Sequence, residues 1–284
     1  MSVLSAVPAT PFAQAFNRSS FMFDHDFHTH PLYDLGTLLD LARRIDPRSA
    51  YYSTRAAAAA DGWEDQRGRD RSLVDAVAGI ERSDTLVMLK DIEQDPVFGP
   101  VFQQALADMA ARVGPALQDE MVHGRATLLI SSPRRVTGYH IDAEANFLLQ
   151  LRGSKTVYVF DGADRSLVPE TELEAFYRGD PNAARYKPER QDDAEAYDFR
   201  PGRGIHVPIE APHWVQNGDE MSVSISINYD LRSNEQRAKV FRLNSQLRRL
   251  GLSPAGPGQS AWLDAGKATL LDGMTRLRGR AGSV

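Results

Sequence analysis

The stretch TGYHIDAEANFLLQLRGSK, residues 137–155, joins a His-x-Asp pair to an apolar, β-rich segment. Residues two apart on a strand point to the same face, so His140 and Asp142 can hold one metal ion side by side. The chain has seven histidines, and about one His-x-acid pair is expected by chance at ordinary residue frequencies. The pair therefore indicates a metal site only if other residues support it.

Short β-rich segments with turn signals between them surround this stretch, from RATLLISS to MSVSISINYDL. Regularly spaced short strands of this kind predict a β barrel or sandwich. A longer charged stretch at 161–200 is predicted to be an insertion, a feature that is often functional. The predicted organisation is α+β and has four parts: an irregular N-terminal segment at 1–32, a helical and mixed part at 33–123 that packs on the core, the β core at 124–231, and C-terminal helices at 232–284.

A second histidine would complete a metal site. Two histidines and one carboxylate on one face of an octahedron leave three open positions, as in non-haem iron(II) sites, which suit a chelating 2-oxo acid and dioxygen. His213 follows the strand GIHVPIE, whereas His206 lies on that strand, the usual place of a buried core histidine. The next strand has small polar residues on one face, which would leave room for a polar ligand inside a barrel. An ordinary solvent-facing strand fits that pattern equally well.

Residues around these histidines resemble a known family. The segment 137–155 is similar to the centre of the JmjC and cupin-like oxygenases that depend on iron(II) and 2-oxoglutarate. It is most similar to the branch of the asparaginyl hydroxylase that inhibits the hypoxia-inducible factor. The pattern places an Asn four residues after the Asp, a Lys fifteen after the first His, a Thr three before it, and Pro-x4-His with an Asn fifteen after that His. This sequence matches with Thr137, Asn146, Lys155, Pro208 and Asn228.

The resemblance covers about residues 125–230 and implies a double-stranded β-helix core, the cupin or jelly-roll fold, with flanking N-terminal and C-terminal helices. It favours His213 over His206, so that His140, Asp142 and His213 would be the iron(II) ligands and the catalytic centre. It implies that Lys155 pairs with the distal carboxylate of 2-oxoglutarate. The cofactor-binding residues that it implies are Thr137, Asn146, Lys155 and Asn228.

Three features depart from the family pattern. The family often has a tyrosine hydroxyl from an upstream strand, but the segment DTLVMLK has no tyrosine. The turn before the second histidine usually reads Pro-Gly-Asp, whereas here it is Pro201-Gly202-Arg203. Thr137 has the wrong strand parity relative to His140, unless a bend at Gly138 corrects it.

The activity that the resemblance implies is hydroxylation of a protein or peptide side chain, with dioxygen and 2-oxoglutarate as co-substrates. Demethylation is the same reaction on an N-methyl carbon. The alternatives are a small-molecule hydroxylase with the same mechanism and a cupin-type metal-binding protein without 2-oxoglutarate chemistry. The C-terminal helices often make a dimer in this branch, so residues 232–284 are predicted to form a homodimer.

Composition limits the other function classes. The net charge of −5 argues against a nucleic-acid-binding protein, and the basic stretch from Arg237 to Arg249 is more typical of a packed or dimerising helix. The absence of cysteine excludes disulfides, thiolate nucleophiles and cysteine-based zinc sites. No signal peptide or membrane span is evident, so we expect a cytoplasmic protein. The N-terminal cluster of Asp24, His25, Asp26, His28 and His30 has metal-ligand residue types, but a nonspecific or structural role is expected for it near a terminus.

Overall fold

The computed structural model describes residues 10–62 and 70–281, and its strands form two antiparallel sheets. The strands are β1 (Phe21–Asp24), β2 (Ala50–Ser53), β3 (Leu86–Lys90), β4 (Met121–Ser131), β5 (Val136–His140), β6 (Ala145–Arg152), β7 (Lys155–Val159), β8 (Glu195–Phe199), β9 (Arg203–Val207), β10 (His213–Asn217) and β11 (Ser222–Leu231). The helices are α1 (Thr10–Ala15), α2 (Leu35–Arg44), α3 (Leu73–Ala78), α4 (Gly99–Val113), α5 (Pro115–Gln118), α6 (Glu170–Tyr177), α7 (Arg232–Arg249) and α8 (Ala261–Ala281).

The large sheet has the strand order β1-β9-β6-β11-β4-β3-β2, and the small sheet has the order β5-β10-β7-β8. An apolar cluster joins the two sheets, with Val157 and Val215 from the small sheet and Leu148 and Ile205 from the large one. The outer face of the large sheet packs against the N-terminal helices. This arrangement is a jelly-roll core with flanking helices, which confirms the predicted α+β double-stranded β-helix fold.

The structure differs from the predicted irregular segment at 1–32 over residues 10–32, and the remainder of that prediction lies outside the described residues. Residues 10–32 contain α1 and β1, and β1 extends the large sheet by pairing with β9. The reason is aromatic packing, because the rings of Phe12 and Phe23 lie 5.1 Å apart, and each lies 6.0 Å from the ring of Phe147 on β6. Burial of these rings stabilises α1 and β1 in a part of the sequence where Pro11 favoured a loop.

The predicted insertion at 161–200 begins after β7 and contains α6, but its last residues form β8, a strand of the small sheet. Helix α6 packs against α7, where the rings of Tyr177 and Phe241 stack at 5.4 Å. These helices share an apolar cluster with Tyr139 of β5 and Phe160, which follows β7, so they lie against the small sheet. Among the described residues, no helix combines the length and the apolar character needed to span a membrane.

Candidate metal centre

His140 and His213 lie side by side because β5 ends at the first residue and β10 begins at the second. The two residues are direct partners in the antiparallel pairing, and their ring centroids are 4.1 Å apart. Asp142 follows β5 by two residues, and its Oδ2 atom lies 4.0 Å from His140 Nε2 and 3.6 Å from His213 Nε2. One ligand atom from each residue lies within 4.8 Å of the other two, so the three side chains form a site that fits a single metal ion.

Backbone carbonyls hold both imidazoles in place. His140 Nδ1 lies 2.7 Å from the carbonyl oxygen of Gly138, and His213 Nδ1 lies 3.0 Å from that of Ala211. When Nδ1 donates to a carbonyl, Nε2 carries the lone pair that a metal needs. Burial and the neighbouring His140 lower the pKa of His213 to about 4, although Asp142 acts in the opposite direction. His213 is therefore neutral at physiological pH, the form in which histidine binds metals.

His206, the alternative ligand, has a structural role. Its side chain is fully buried, its Nε2 accepts the Asn17 N–H at 2.9 Å, and its Nδ1 lies 2.8 Å from the carbonyl oxygen of Asn146. Its ring packs on Phe147 at 4.6 Å. With both nitrogens engaged, His206 belongs to the core beneath β1, and the structure brings His213 rather than His206 to Asp142.

A cavity of about 230 Å³ opens between the two sheets next to this trio. His140, Asp142 and His213 form part of its wall. The four residues predicted to bind the co-substrate also line this cavity: Thr137, Asn146, Lys155 and Asn228. The structure therefore gathers all seven predicted site residues around one space.

Lys155, the first residue of β7, is the exceptional group in this cavity. Its side chain is only 6% exposed, and within residues 10–62 and 70–281 no hydrogen bond or ion pair satisfies its ammonium group. Burial lowers the pKa of Lys155 to about 7. A buried cation without a partner is costly in an otherwise stable fold. The cavity is thus suited to an anion that completes this side chain.

Thr137 reaches the cavity because β5 contains a bulge. His213 pairs with His140 and Val215 pairs with Thr137, so two steps along β10 match three steps along β5. The N–H of Tyr139 donates to the carbonyl oxygen of Ala59 at 2.8 Å, outside the sheet. The extra residue reverses the parity, and His140 and Thr137 line the same cavity despite their odd separation. The bend expected near Gly138 is present.

Asn146 and Asn228 are direct partners on β6 and β11. The Asn146 Nδ2 atom donates to Asn228 Oδ1 at 2.7 Å and to the hydroxyl of Ser226, which also accepts from Asn228 Nδ2 at 3.1 Å. At the start of β11, Ser222 and Ser224 instead form hydrogen bonds with the side chain of Gln150. Only half of the predicted polar face of β11 therefore lines the cavity.

Arg125 and Glu144 line the cavity but were not predicted as site residues from the sequence. Arg125 on β4 pairs with Asp230 and lies 3.6 Å from Glu144, while burial and the nearby Asp142 raise the pKa of Glu144. The signal was the alternation in RATLLISS, since every second residue from Arg125 to Ser131 lines the cavity. Strand β3 contributes Leu86, Met88 and Lys90 to the wall, so no tyrosine hydroxyl comes from it.

Two residues of the N-terminal cluster, Asp24 and His25, contact the turn at the start of β9. Within the ranges that the structure describes, the His140–Asp142–His213 trio is the one group arranged to hold a metal ion. His25 Nε2 lies 3.1 Å from the carbonyl oxygen of Arg203, and burial lowers the pKa of His25 to about 4. The unusual arginine in the turn pairs with Asp24 at 3.1 Å, while Gly202 keeps the positive φ of 90° that the turn requires.

Comparison with known proteins supports the fold. No protein-family model matches the chain, and no curated protein matches it. The chain is similar to the X-ray structure of ycfD from E. coli, with a TM-score of 0.52 and 14% sequence identity over 98% of this chain and 69% of that one. At this identity the similarity shows a shared fold and nothing finer. It lends no support to the predicted asparaginyl hydroxylase branch.

Proposed function

We propose that this protein is an oxygenase dependent on iron(II) and 2-oxoglutarate. The observation that carries the proposal is the buried Lys155, which has no partner among the described residues and lies in the same cavity as His140, Asp142 and His213. Two imidazoles and one carboxylate suit iron(II) and leave positions open for other ligands. Lys155 requires an anionic partner. A dicarboxylate that chelates the metal at one end can pair with Lys155 through the carboxylate at its other end.

Each residue has a distinct task in this proposal. Bound iron(II) would supply the oxidation of a substrate C–H bond by dioxygen, coupled to decarboxylation of 2-oxoglutarate to succinate and carbon dioxide. Lys155, with the hydroxyl of Thr137, holds the distal carboxylate of 2-oxoglutarate. Asn146 and Asn228 orient its metal-proximal end by hydrogen bonds from their amides. The apolar wall from Leu148, Val157 and Val215 excludes water from this contact.

The size of the cavity favours a side chain of a protein or peptide as the substrate. Pockets that enclose a drug-sized ligand usually measure roughly 300–1,000 Å³. The cavity of about 230 Å³ must also hold 2-oxoglutarate, so only a small part of a substrate fits inside. A small-molecule hydroxylase is the second candidate, because Arg125 and Glu144 place charged, partly exposed side chains on the cavity wall. A cupin-type metal protein without 2-oxoglutarate ranks lower because it assigns no role to Lys155.

Three further properties stay predictions: a homodimer through residues 232–284, a cytoplasmic location and the absence of nucleic-acid binding. The dimer has some support from exposed apolar side chains near this end of the chain, since Trp262 is 81% and Leu250 is 76% exposed.

Anaerobic spectroscopy tests the proposed function directly. Adding iron(II) and 2-oxoglutarate without oxygen is expected to produce the weak visible charge-transfer band of a metal-bound 2-oxo acid. His213→Ala is expected to lose the band, and the exposed His123→Ala variant is expected to keep it. Absence of the band in the natural protein at saturating concentrations would sink the proposal.

The affinity for 2-oxoglutarate is expected to depend on pH. The free protein holds Lys155 with a pKa of about 7, and only the charged form pairs with the distal carboxylate. As the pH rises above about 7, binding must recruit a proton, so the Kd should increase by up to about tenfold per pH unit. Calorimetry with the manganese-loaded protein measures this slope. Lys155→Arg serves as the control because arginine stays charged, and an equally flat profile in both proteins would contradict the expectation.

A further inference from the structure

Glu210 lies under the loop that carries His213. Its side chain is only 4% exposed, and its backbone adopts a φ of 62°, which is uncommon for a residue with a side chain. The Glu210 N–H donates to the carbonyl oxygen of Asp142 at 2.9 Å, and the carbonyl of the next residue, Ala211, lies 3.0 Å from His213 Nδ1. The backbone of residues 210–211 therefore touches two of the three metal-site residues.

The Glu210 carboxylate is held from helix α7. Arg237 donates two hydrogen bonds to it, from Nε to Oε1 and from Nη2 to Oε2, each 2.9 Å long. This two-point contact fixes the orientation of the carboxylate as well as its position. The hydroxyl of Tyr177 on α6 lies 2.9 Å from Oε1, and Arg165 is a second, more distant cation at 3.8 Å.

Helix α7 also reaches the other side of the metal site. Asn234, one turn before Arg237, donates from Nδ2 to the carbonyl oxygen of Ala143 at 2.6 Å. Ala143 follows Asp142 directly. One helix turn thus holds the loop of Asp142 through Asn234 and the loop of His213 through Arg237 and Glu210.

We infer that Glu210, Arg237 and Asn234 form a positioning unit that sets the spacing between Asp142 and His213 before a metal binds. None of the three is proposed to bind the metal. Asn234 and Glu210 each donate to a backbone carbonyl of the Asp142 loop, and Arg237 acts through the carboxylate of Glu210. The unusual φ of Glu210 is consistent with a conformation that the surrounding contacts impose. The inference rests on the proposed metal site, but it does not depend on 2-oxoglutarate.

A metal titration with a matched control tests this inference. Glu210→Gln keeps the shape of the side chain and removes its charge. Glu174→Gln makes the same change at another buried carboxylate, to which Arg248 of α7 donates at 2.8 Å. This pair does not contact the ligand-bearing loops. The binding of Co²⁺ is measured by absorbance without 2-oxoglutarate or oxygen, and urea unfolding of the metal-free proteins is measured in parallel. Outer hydrogen-bond partners of metal ligands are worth about 10- to 100-fold in metal affinity.

We expect Glu210→Gln to weaken Co²⁺ binding by about 10- to 100-fold, and Glu174→Gln to change it by less than about twofold. Arg237→Lys, which keeps the charge but loses the two-point contact, is expected to be intermediate and replaces Glu210→Gln if that variant does not fold. The inference is overturned if Glu210→Gln binds Co²⁺ as the natural protein does. It is also overturned if both glutamate variants lose affinity in proportion to their loss of stability. A protein that binds Co²⁺ but not 2-oxoglutarate would instead contradict the proposed function alone.

Discussion

Replacing Asp142 with alanine is expected to weaken divalent metal binding by more than about a hundredfold and to abolish 2-oxoglutarate turnover. Outer hydrogen-bond partners of metal ligands are typically worth about 10- to 100-fold, and Asp142 is a proposed direct ligand and the one carboxylate in the trio. Its loss would leave two imidazoles, which His213 and His140 present from neighbouring strands. Co²⁺ titration and succinate formation measure the two effects.

Glu144→Gln is the matched control for this variant. Glu144 lies two residues after Asp142 and lines the same cavity, but it is outside the metal trio. Its replacement is expected to change Co²⁺ affinity by less than about threefold, since it removes no metal ligand. Equal losses in the Asp142 and Glu144 variants would mean that the carboxylate ligand has been assigned to the wrong residue.

Lys155→Met is expected to separate metal binding from co-substrate binding. Removing one partner of a desolvated charge pair typically costs about 2–5 kcal/mol, which corresponds to at least about a thirtyfold loss of 2-oxoglutarate affinity. Co²⁺ affinity should stay unchanged, because Lys155 contributes no ligand to the metal. Calorimetry measures both affinities, and a 2-oxoglutarate affinity equal to that of the natural protein would rule out Lys155 as the anchor.

The same variant is expected to be more stable than the natural protein when no ligand is bound. Burial lowers the pKa of Lys155 from 10.5 to about 7, so the folded state binds this proton less tightly than the unfolded state. The penalty is full below about pH 7 and disappears as the pH rises towards 10.5, with a size on the order of a few kcal/mol at neutral pH. Urea unfolding at several pH values should show this rise in the natural protein and not in Lys155→Met.

Site residues that are close together in sequence were easier to predict than those that only strand pairing brings together. His140 and Asp142 are two residues apart, and the regular alternation of a strand is enough to place them together. His213 could be chosen over His206 only through a family resemblance, because strand pairing brings it to Asp142 across 71 residues of chain, from 142 to 213. The β-rich character of residues 124–231 could be predicted for the same reason, because short segments of strand-forming residues are recognisable locally.

Other features have no local signal. The order of the N-terminal segment comes from contacts of Phe12 and Phe23 with Phe147, more than a hundred residues later. The pairing of Glu210 with Arg237 depends on how α7 packs after β11, and a single glutamate in a turn gives no indication of it. The burial of Lys155 without a partner in the part of the chain that the structure describes is likewise a property of the assembled cavity, since a lysine at a strand start is usually exposed.

The bulge in β5 limits how this site can change in length. Deleting either Gly138 or Tyr139 would restore regular alternation and keep His140 opposite His213. The same deletion would turn Thr137 towards the outside of the barrel, away from the cavity that Lys155 shares with the metal trio. Substitutions at these two positions leave the strand register unchanged, whereas loss of a single residue shifts it. Along evolutionary lines that keep the co-substrate, the segment 137–140 should therefore vary in composition more readily than in length.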